Sequence, residues 1–482
     1  MTAGRGTLAT VTDPPGSPPP PGSESLDATE LARLSGGLLV HDARRSIRGA
    51  AVDSRRVRPG NLFVALPGER TDGHEHLAEA VANGAAAILV SRPGLPAEVL
   101  SEVSVVRVSR PVQALGAIAS GWRSRFDPLT VGITGSIAKT STKEAVAAVL
   151  AVRFRTLRSE GNENNEIGLP LTVLRLDRQD EALVLEMGMY VGGEIADLAR
   201  IGRPQIGVVT AVQLVHLSRA GTIEAIERAK AELVEALPTG GTAVLNADDE
   251  RVARMADRTA ARVLTYGFGP AADVTADSVE SAGAAGMRFV LRTATGRRPI
   301  SVPSLGRHAV QNALAAAAVG IAAGLGVDEI AAGLAVRPPA THRGDLVRLG
   351  DVTILDDSYN AAPASMRAAL AVLADLPGRR VAVLGEMLEL GDHHEAGHLE
   401  VGRVAAGVAD LLIVVGRGAE PIGRAARAAG MISGRVIEVA DGQAALEALR
   451  PRLAPGDVVL VKASNGIGLE RLVEDLRIEL GP

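Results

Sequence analysis

The sequence predicts an α/β protein of several domains built on mainly parallel sheets. Short apolar runs such as ALVLEM and LLIVVG alternate with Ala- and Leu-rich stretches of helical spacing along most of the chain. This alternation is typical of parallel strands joined by crossover helices. In addition, 482 residues exceed what one hydrophobic core usually supports, so two or three domains are expected. Ligands of such sheets bind at the carboxyl ends of the strands.

Composition narrows the class of protein. Apolar residues make up 46% and charged residues 22% of the chain, which is typical of a globular protein. Aromatic residues are only 2%, the net charge is −5, and no basic stripe occurs, so we expect no nucleic-acid partner. The absence of cysteine excludes disulfides and thiolate zinc sites. No apolar run is long enough to insert into a membrane, and no signal peptide is recognisable, so we expect a cytoplasmic protein.

The chain divides into a tail and three blocks. Residues 1–25 are rich in Pro, Gly and Ser and predict a disordered tail. Residues 26–125 predict a small α/β domain, and residues 126–338 predict a larger parallel-sheet domain. Residues 339–482, with strands such as TILDDS and RVAVLG, predict a Rossmann-like domain. The Pro338-Pro339 pair marks the last boundary.

The most informative segment is VGITGSIAKTSTKE at residues 131–144. A strand-type run ends at Thr134, a loop of small residues leads to Lys139 and Thr140, and a helix-forming run follows. This order is how a nucleoside triphosphate is held: backbone N–H groups face the phosphates, the lysine reaches the β and γ oxygens, and the hydroxyl helps to bind Mg²⁺. The second domain is therefore predicted to be P-loop ATPase-like. Its predicted nucleotide contacts, called the phosphate loop below, are Thr134, Gly135, Ser136, Ile137, Ala138, Lys139, Thr140 and Ser141.

Two other interpretations of this segment compete. Ile133 and Ala138 stand where the G-x-x-x-x-G-K-[ST] pattern has glycines, so a plain strand-to-helix turn is one alternative. Ser136 and Lys139 also fit the S-x-x-K spacing of serine acylases. That interpretation is weak, because the S-D-N and K-T-G partners of the motif do not occur in the chain.

Three further residues of the central block are candidates. Glu186 ends the strand ALVLE and His216 follows the strand IGVVTAV, so both are expected at the ligand-binding edge. A carboxylate there suits Mg²⁺, although a solvated acid and a structural histidine are the alternatives. Lys230 shares a predicted helix face with apolar residues such as Ile226 and Leu233. A lysine there either extends its ammonium to solvent or is chemically modified, and helical spacing alone leaves both open.

Two motifs of the last block predict little. His394-Glu395-Ala396-Gly397-His398 has the form H-E-x-x-H of zinc proteases, which requires one helix carrying both histidines and a third ligand. Gly397 is expected to weaken such a helix, so zinc binding is disfavoured. The segment Gly416-Arg417-Gly418 lacks the third glycine of a dinucleotide-binding loop.

Taken together, the segments resemble the Mur ligases, the ATP-dependent enzymes that build the peptidoglycan stem peptide. The resemblance covers about residues 45–475. It rests on five segments: VDSRRVRPGNLFVALPGERTDGH (52–74), GNENNEIGLP (161–170), LEMGMYVGGEIADLARIGRP (185–204), DDSYNAAPASM (356–366) and VAVLGEMLELG (381–391). These segments are similar to the branch that adds D-Ala-D-Ala to a UDP-N-acetylmuramoyl-tripeptide. The sibling that adds the third amino acid carries a DNPR motif that is absent here.

The resemblance implies ATP and Mg²⁺ as cofactors, this tripeptide and dipeptide as substrates, a UDP-binding N-terminal domain and a monomer. It implies that Lys139, Lys230 and His216 are catalytic, and that Thr140, Glu186, His216 and Lys230 hold the metal. Lys230 would be carbamylated (N6-carboxylated). The implied nucleotide contacts outside the loop are Asn312 to adenine, Arg343 to phosphate and Asp357 to ribose. The implied substrate-binding residues are Ser54, Arg55, Asp72, Gly73, His74, Asn164, Asn165 and Asn360.

The chain also departs from the family pattern. Ala138 places a Cβ where the loop backbone must approach phosphate, and Ala309, Ala362 and Asn465 replace an Asn, an Asn and an Arg. The metal and lysine positions are intact, so we expect an active ligase. The alternatives are a diverged, weakly active or non-catalytic ATP-binding paralogue and a sibling ligase with another amine substrate, such as D-Ala-D-lactate.

Overall fold

Three large sheets, each flanked by helices, organise the chain. The computed structural model describes residues 24–68, 71–95, 101–213, 221–337 and 342–481. The predicted tail therefore lies outside the described residues except for Glu24 and Ser25, and Glu24 forms ion pairs with Arg125 and Arg178. Each large sheet falls within one predicted block, whose outer limits stay predictions. In the described ranges, no helix is long and apolar enough to cross a membrane.

The N-terminal sheet has five strands in the order β1-β5-β4-β3-β2. Strand β1 is antiparallel to β5, and the other neighbours are parallel. Short 3₁₀ turns, Ser54–Arg56 and Gly73–His76, follow β2 and β3. The elements are β1 (Leu38–His41), β2 (Ala50–Ala51), β3 (Leu62–Val64), β4 (Ala87–Val90), β5 (Ser104–Arg107), α1 (Ala28–Ser35), α2 (Leu77–Ala82) and α3 (Pro111–Arg123).

The central sheet is parallel throughout, with six strands in the order β11-β10-β9-β6-β8-β7. Its strands are β6 (Leu129–Thr134), β7 (Thr156–Arg158), β8 (Ala182–Glu186), β9 (Ile206–Val209), β10 (Thr242–Asn246) and β11 (Arg262–Tyr266). Its helices are α4 (Lys139–Leu150), α5 (Gly168–Val173), α6 (Glu194–Gly202), α7 (Ile223–Glu235), α8 (Glu250–Ala253), α9 (Arg307–Ala322) and α10 (Val327–Leu334). Strand β6 lies between β8 and β9, so the phosphate loop emerges beside the carboxyl ends of both.

A small antiparallel sheet is added to the central unit. It consists of β12 (Thr275–Ser281), β13 (Met287–Thr293) and β14 (Gly296–Val302). Met287, Phe289 and Leu291 of β13 are buried in the same core as helix α9. This sheet was not predicted from the sequence, because β13 alternates apolar and polar residues and lacks the continuous apolar run of a buried parallel strand.

The C-terminal sheet has six strands in the order β15-β16-β20-β17-β18-β19, of which only β15 is antiparallel to its neighbour. Its strands are β15 (Asp345–Leu349), β16 (Val352–Asp356), β17 (Arg379–Gly385), β18 (Leu411–Val415), β19 (Val436–Val439) and β20 (Asp457–Lys462). Its helices are α11 (Pro363–Asp375), α12 (His394–Val408), α13 (Glu420–Ala428), α14 (Gly442–Leu449) and α15 (Glu470–Leu480).

The first two units share one hydrophobic core. Residues of α3 and of the N-terminal sheet pack in a single buried cluster with residues of α5, β8 and α6. Trp122 of α3 donates a hydrogen bond to the Leu176 carbonyl at 3.1 Å. The adjacent Arg123 is 3% exposed and donates to the Gly202 carbonyl at 3.0 Å. We infer that these two units form a common support, whereas the C-terminal sheet has cores of its own on its two faces.

The backbone of the phosphate loop requires two unusual conformations. Gly135 has φ +152°, and a Cβ added there would lie 1.8 Å from Thr210 Oγ1. Ala138, at the N-cap of α4, has φ +64° in the left-handed region. An L-residue pays about 1–2 kcal/mol in that region because of its Cβ. At Ala138 the strain therefore comes from the left-handed φ of the residue itself.

We predict that Ala138→Gly raises the thermal stability of the protein. Relief of the left-handed strain, about 1–2 kcal/mol, exceeds the entropy that glycine adds to the unfolded chain, about 0.5–1 kcal/mol. Differential scanning calorimetry should show a higher melting temperature. The matched control is Ala145→Gly in the right-handed part of the same helix, which should lower it. If both substitutions lower the melting temperature equally, the left-handed backbone at residue 138 carries no strain.

Candidate active site

A large cleft lies between the carboxyl edge of the central sheet and the C-terminal unit. Its lining includes Ser136 to Ser141 of the phosphate loop together with Glu186, Lys230 and Arg343. Asn164, Asn165, Asn312, Asp357 and Asn360 line it as well. The structure therefore brings most of the predicted nucleotide and metal residues into one place. His216 lies outside the described residues, and Thr134 and Gly135 form the base of the loop.

The phosphate loop is fastened to the segment that follows β9. Ser136 N donates to the Ala211 carbonyl at 2.8 Å, and Thr210 Oγ1 donates to the Ile137 carbonyl at 2.6 Å. Ser136 Oγ both donates to the Gln213 carbonyl and accepts from Gln213 N, at 3.0 and 2.9 Å. Lys139 Nζ donates to the Gly135 carbonyl at 2.8 Å. These bonds use the Ser136 hydroxyl to shape the loop, which argues against the serine-acylase alternative.

Lys230 is buried within the cleft wall. It lies on α7 and is only 2% exposed, so its ammonium does not extend to bulk solvent. Burial, and next the positive charge of Lys139, hold the pKa of Lys230 well below its usual range. Within the described ranges, no hydrogen bond or ion pair involves its side chain. The alternative of a lysine that extends its ammonium to solvent is therefore wrong. Burying a charged amine without a partner is costly, which favours the other alternative, chemical modification.

Glu186 presents a free carboxylate oxygen to the same cleft. The residue is 1% exposed, and its Oε1 accepts a hydrogen bond from Asn164 Nδ2 at 2.9 Å. Among the described residues, its Oε2 has no hydrogen-bond partner. A buried carboxylate oxygen without a hydrogen bond is costly and needs an explanation. A divalent cation at this position would supply one.

The residues present fit Mg²⁺ held partly by the nucleotide. Mg²⁺ in nucleotide enzymes typically uses one or two carboxylates together with substrate phosphates. Glu186 Oε2 and the hydroxyl of the nearly buried Thr140 are oxygen donors of this kind. In the part of the chain that the structure describes, no cluster of three His, Asp or Glu residues could hold a metal alone. The site is thus suited to a cation that arrives with phosphate.

Lys143 is a component of the site that sequence reasoning missed. It is fully buried in α4, and its Nζ donates to the Gly161 carbonyl at 3.1 Å and pairs with Glu144 at 3.0 Å. The same ammonium lies 4.0 Å from Glu186 Oε2. It therefore ties α4 to the loop that carries Asn164 and partly offsets the charge of Glu186. In the sequence, Lys143 is marked only by its position next to Glu144 in a helix of mostly small residues.

The part of the cleft where the adenosine is predicted to bind lies between α4, α9 and the C-terminal unit. Asn312 of α9 is 9% exposed, and its Oδ1 accepts from Thr142 Oγ1 at 3.2 Å. It borders a cavity that Asp357 and Arg343 also line. The Asp357 carboxylate accepts from Lys462 Nζ at 2.6 Å. Lys462, at the end of β20, was not singled out from the sequence because nothing marked it apart from other strand-end lysines.

The N-terminal candidates lie on the turns after β2 and β3 and are not among the residues that line the cleft. Ser54 Oγ donates to Glu79 at 2.6 Å, and Arg55 makes two hydrogen bonds to Asp53 at 2.9 and 2.7 Å. Asp72 accepts from His74 N at 2.9 Å, and a Cβ on the intervening Gly73 would lie 2.8 Å from Leu66 N. These contacts shape the turns, and the substrate roles stay predictions.

Two asparagine candidates also have local structural bonds. Asn165 Oδ1 accepts from Gly168 N at 2.9 Å and so satisfies the start of α5. Asn360 Oδ1 accepts from Ala361 N at 2.9 Å. Both residues still line the cleft. Their side-chain amide groups are therefore placed beside any substrate that occupies it, and their binding roles stay predictions.

The two remaining motifs serve the C-terminal fold. His394 and His398 share helix α12, which continues through Gly397. Glycine is required there by packing, since a Cβ would lie 2.9 Å from Pro363 Cγ. Both His398 nitrogens are used, with Nε2 accepting from Met387 N at 2.9 Å and Nδ1 bonded to the His394 carbonyl at 2.6 Å. These bonds leave His398 no free nitrogen for zinc.

The Gly416-Arg417-Gly418 segment has a carboxylate where a phosphate would approach. A Cβ on Gly418 would lie 2.0 Å from the Glu386 carboxyl carbon. Glu386 is held there by His394 Nε2 at 2.9 Å. The negative charge disfavours a bound phosphate, which agrees with the weak sequence signal.

Comparison with known proteins identifies the family. Residues 46–123, 133–320 and 342–465 match, in order, the Mur ligase family catalytic domain, the Mur ligase middle domain and the Mur ligase glutamate ligase domain. The chain is 41% identical to the UDP-N-acetylmuramoyl-tripeptide--D-alanyl-D-alanine ligase of Mycobacterium bovis, and the match covers 94% of this chain and 97% of that relative.

Two solved structures are similar over nearly the whole chain. A crystal structure of MurF from Acinetobacter baumannii has a TM-score of 0.84 and 29% identity, covering 94% of this chain and 99% of that one. MurF from Thermotoga maritima in complex with ADP has a TM-score of 0.77 and 29% identity, covering 90% and 98%. The predicted three-domain α/β architecture is thereby confirmed. The chain belongs to the Mur ligase family.

Proposed function

We propose that this chain joins D-Ala-D-Ala to UDP-N-acetylmuramoyl-tripeptide in an ATP-dependent step of peptidoglycan precursor synthesis. The observation that carries the proposal is the cleft that Lys139, Lys230 and Arg343 line together with Glu186, whose Oε2 has no hydrogen bond among the described residues. The name of the Mycobacterium bovis relative and the ADP bound to the Thermotoga maritima protein support the substrate and the nucleotide. The reaction would take place in the cytoplasm, and the protein would act as a monomer.

The reaction would proceed in two steps. An oxygen of the terminal tripeptide carboxylate attacks the γ-phosphorus of ATP, the bond from that phosphorus to the bridging oxygen breaks, and ADP leaves. The amine of D-Ala-D-Ala then attacks the carbonyl carbon of the acyl phosphate. The tetrahedral intermediate loses a proton from nitrogen and expels phosphate, which leaves one new amide bond. In phosphoryl transfer the protein acts mainly by positioning and by charge neutralisation.

The residues of the cleft suit these tasks. Lys139 and the N–H groups at the start of α4 would bind the phosphates from the central unit, and Arg343 would approach them from the C-terminal unit. Asn312 and Asp357 would orient the adenosine. Mg²⁺, when bound, would neutralise phosphate charge. Thr140 and Glu186 would hold it, together with Lys230 and His216 as the resemblance implies.

Lys230 would serve this site as a carbamate. Its environment favours the uncharged amine, since burial and Lys139 lower its pKa. The nitrogen lone pair of that amine can form a bond to the carbon of CO₂, after which a proton leaves. The product is an anion in the wall of the cleft that Glu186 and Lys139 also line. The modification would thus replace a buried amine, whose protonated form is costly there, with an oxygen ligand for the metal.

We predict that the purified protein, given ATP, Mg²⁺, UDP-N-acetylmuramoyl-tripeptide and D-Ala-D-Ala, forms the UDP-pentapeptide with release of phosphate. Mass spectrometry of the product is the measurement, and Lys139→Met, which removes the phosphate-binding ammonium, is the inactive control. Nucleotide binding without any product would favour the non-catalytic paralogue. Turnover only with D-Ala-D-lactate would favour the sibling ligase, and either result would contradict the proposal.

We predict that Lys230→Ala loses about 100-fold or more in ligase activity and that short carboxylic acids restore part of it. An acid such as acetate or propionate would fill the place of the carbamate and supply its negative charge. Loss of one catalytic electrostatic contact typically costs this much. Steady-state phosphate release is the readout, and Arg228→Ala on the exposed side of the same helix should remain active. Equal rescue by chloride, or a fully active variant, would leave Lys230 as a packing residue.

A further inference from the structure

We propose that Tyr359 is a positioning residue that holds Arg343 ready for the nucleotide phosphates and away from the Glu186 carboxylate. The proposal rests on the proposed function, because it assumes that Arg343 binds phosphate. Tyr359 lies in the DDSYNAAPASM segment, in which only Asp357 and Asn360 have so far received roles. It lines the cleft together with Arg343, Glu186 and Lys139.

The ring and the guanidinium are in direct contact. Arg343 Cζ lies 3.9 Å from the centroid of the Tyr359 ring. At this distance the guanidinium is attracted by the negative face of the ring. The contact also restricts the side-chain rotamers of the arginine, which reduces the entropy that phosphate binding must remove.

The backbone fixes both partners of this contact. Tyr359 N donates to the His342 carbonyl at 3.1 Å, and Gly344 N donates to the Asp356 carbonyl at 2.9 Å. His342 has a left-handed backbone, with φ +61°, and its Nδ1 lies 2.8 Å from the buried Asp356 carboxylate. The residues on either side of Arg343 are thus tied to the strand end that leads to Tyr359. The Arg343–Tyr359 pair therefore lies where the start of the C-terminal unit meets the end of β16.

The contact with Tyr359 can keep the Arg343 guanidinium from pairing with the Glu186 carboxylate in the same cleft. Glu186 Oε2 has no hydrogen-bond partner among the described residues, although a guanidinium lines the same cleft. Arginine forms strong charge-assisted hydrogen bonds with carboxylates, so a mobile Arg343 could pair with Glu186. The Tyr359 ring offers the guanidinium a different place. The Glu186 oxygen is then left for a cation, and Arg343 is left for phosphate.

The test compares Tyr359→Leu, which removes the ring, with Tyr359→Phe, which keeps it. Calorimetry with ADP and Mg²⁺ measures nucleotide affinity, and steady-state kinetics measures the KM for ATP and for D-Ala-D-Ala. We expect Tyr359→Leu to weaken ADP binding about 5–30-fold, the range of a desolvated cation–π contact. The Mg²⁺ concentration that gives half-maximal activity should also be higher for Tyr359→Leu than for wild type. The KM for the dipeptide should stay within about twofold of the wild-type value. The melting temperature should stay within about 2 °C of the wild-type value.

Tyr359→Phe should recover most of the lost affinity, because the ring face persists. Arg343→Met supplies the second control: in that background, Tyr359→Leu should have no further effect on ADP binding. An equal loss in Tyr359→Phe and Tyr359→Leu would overturn the proposal. Additive losses in the double variant, or unchanged affinity in Tyr359→Leu, would overturn it too. ADP binding needs no tripeptide, so failure of the wild type to form pentapeptide would reject the proposed function separately.

Discussion

The Glu186 oxygen that has no hydrogen bond within the described structure is the feature on which the whole site depends. Three lysines surround the phosphate-binding edge, of which Lys139 and Lys230 have lowered pKa values from burial and Lys143 forms buried ion pairs. One carboxylate oxygen remains without a hydrogen bond in the described structure. On the proposed function, the arrangement would become electrostatically complete once anionic phosphates met the cations, a divalent cation met Glu186, and the Lys230 nitrogen lost a proton and bonded to CO₂.

The fold creates this arrangement through strand order. Strand β6 lies between β8 and β9, so the phosphate loop, Glu186 and the Thr210 support emerge side by side. The N-terminal unit shares a core with the central unit, which fixes its position relative to the phosphate loop. The C-terminal unit supplies Arg343, Tyr359 and Asp357 from the other side of the cleft. Closure of such a unit on its substrates is a common means of completing a site.

The sequence predicted the part of this account that local patterns encode. The phosphate loop, the strand-end position of Glu186 and the apolar face around Lys230 follow from motif order and periodicity, and the structure places them together. Lys143, Lys462 and Tyr359 escaped detection because their importance arises from partners far away in sequence. The Lys462–Asp357 contact, for example, joins the ends of two strands 105 residues apart. The left-handed backbone of Ala138 could not be predicted from the sequence either, because alanine rarely adopts that conformation and no neighbouring residue indicates it.

The most direct test of the central claim is a ¹³C NMR spectrum of the protein equilibrated with ¹³C-labelled CO₂. The account predicts a carbamate resonance in the wild type that is absent from Lys230→Met. Addition of Mn²⁺ with ADP should broaden that resonance, because the paramagnetic ion would bind beside Glu186 and the modified lysine. Identical spectra for the two proteins, or a carbamate resonance that Mn²⁺ leaves sharp, would contradict the account.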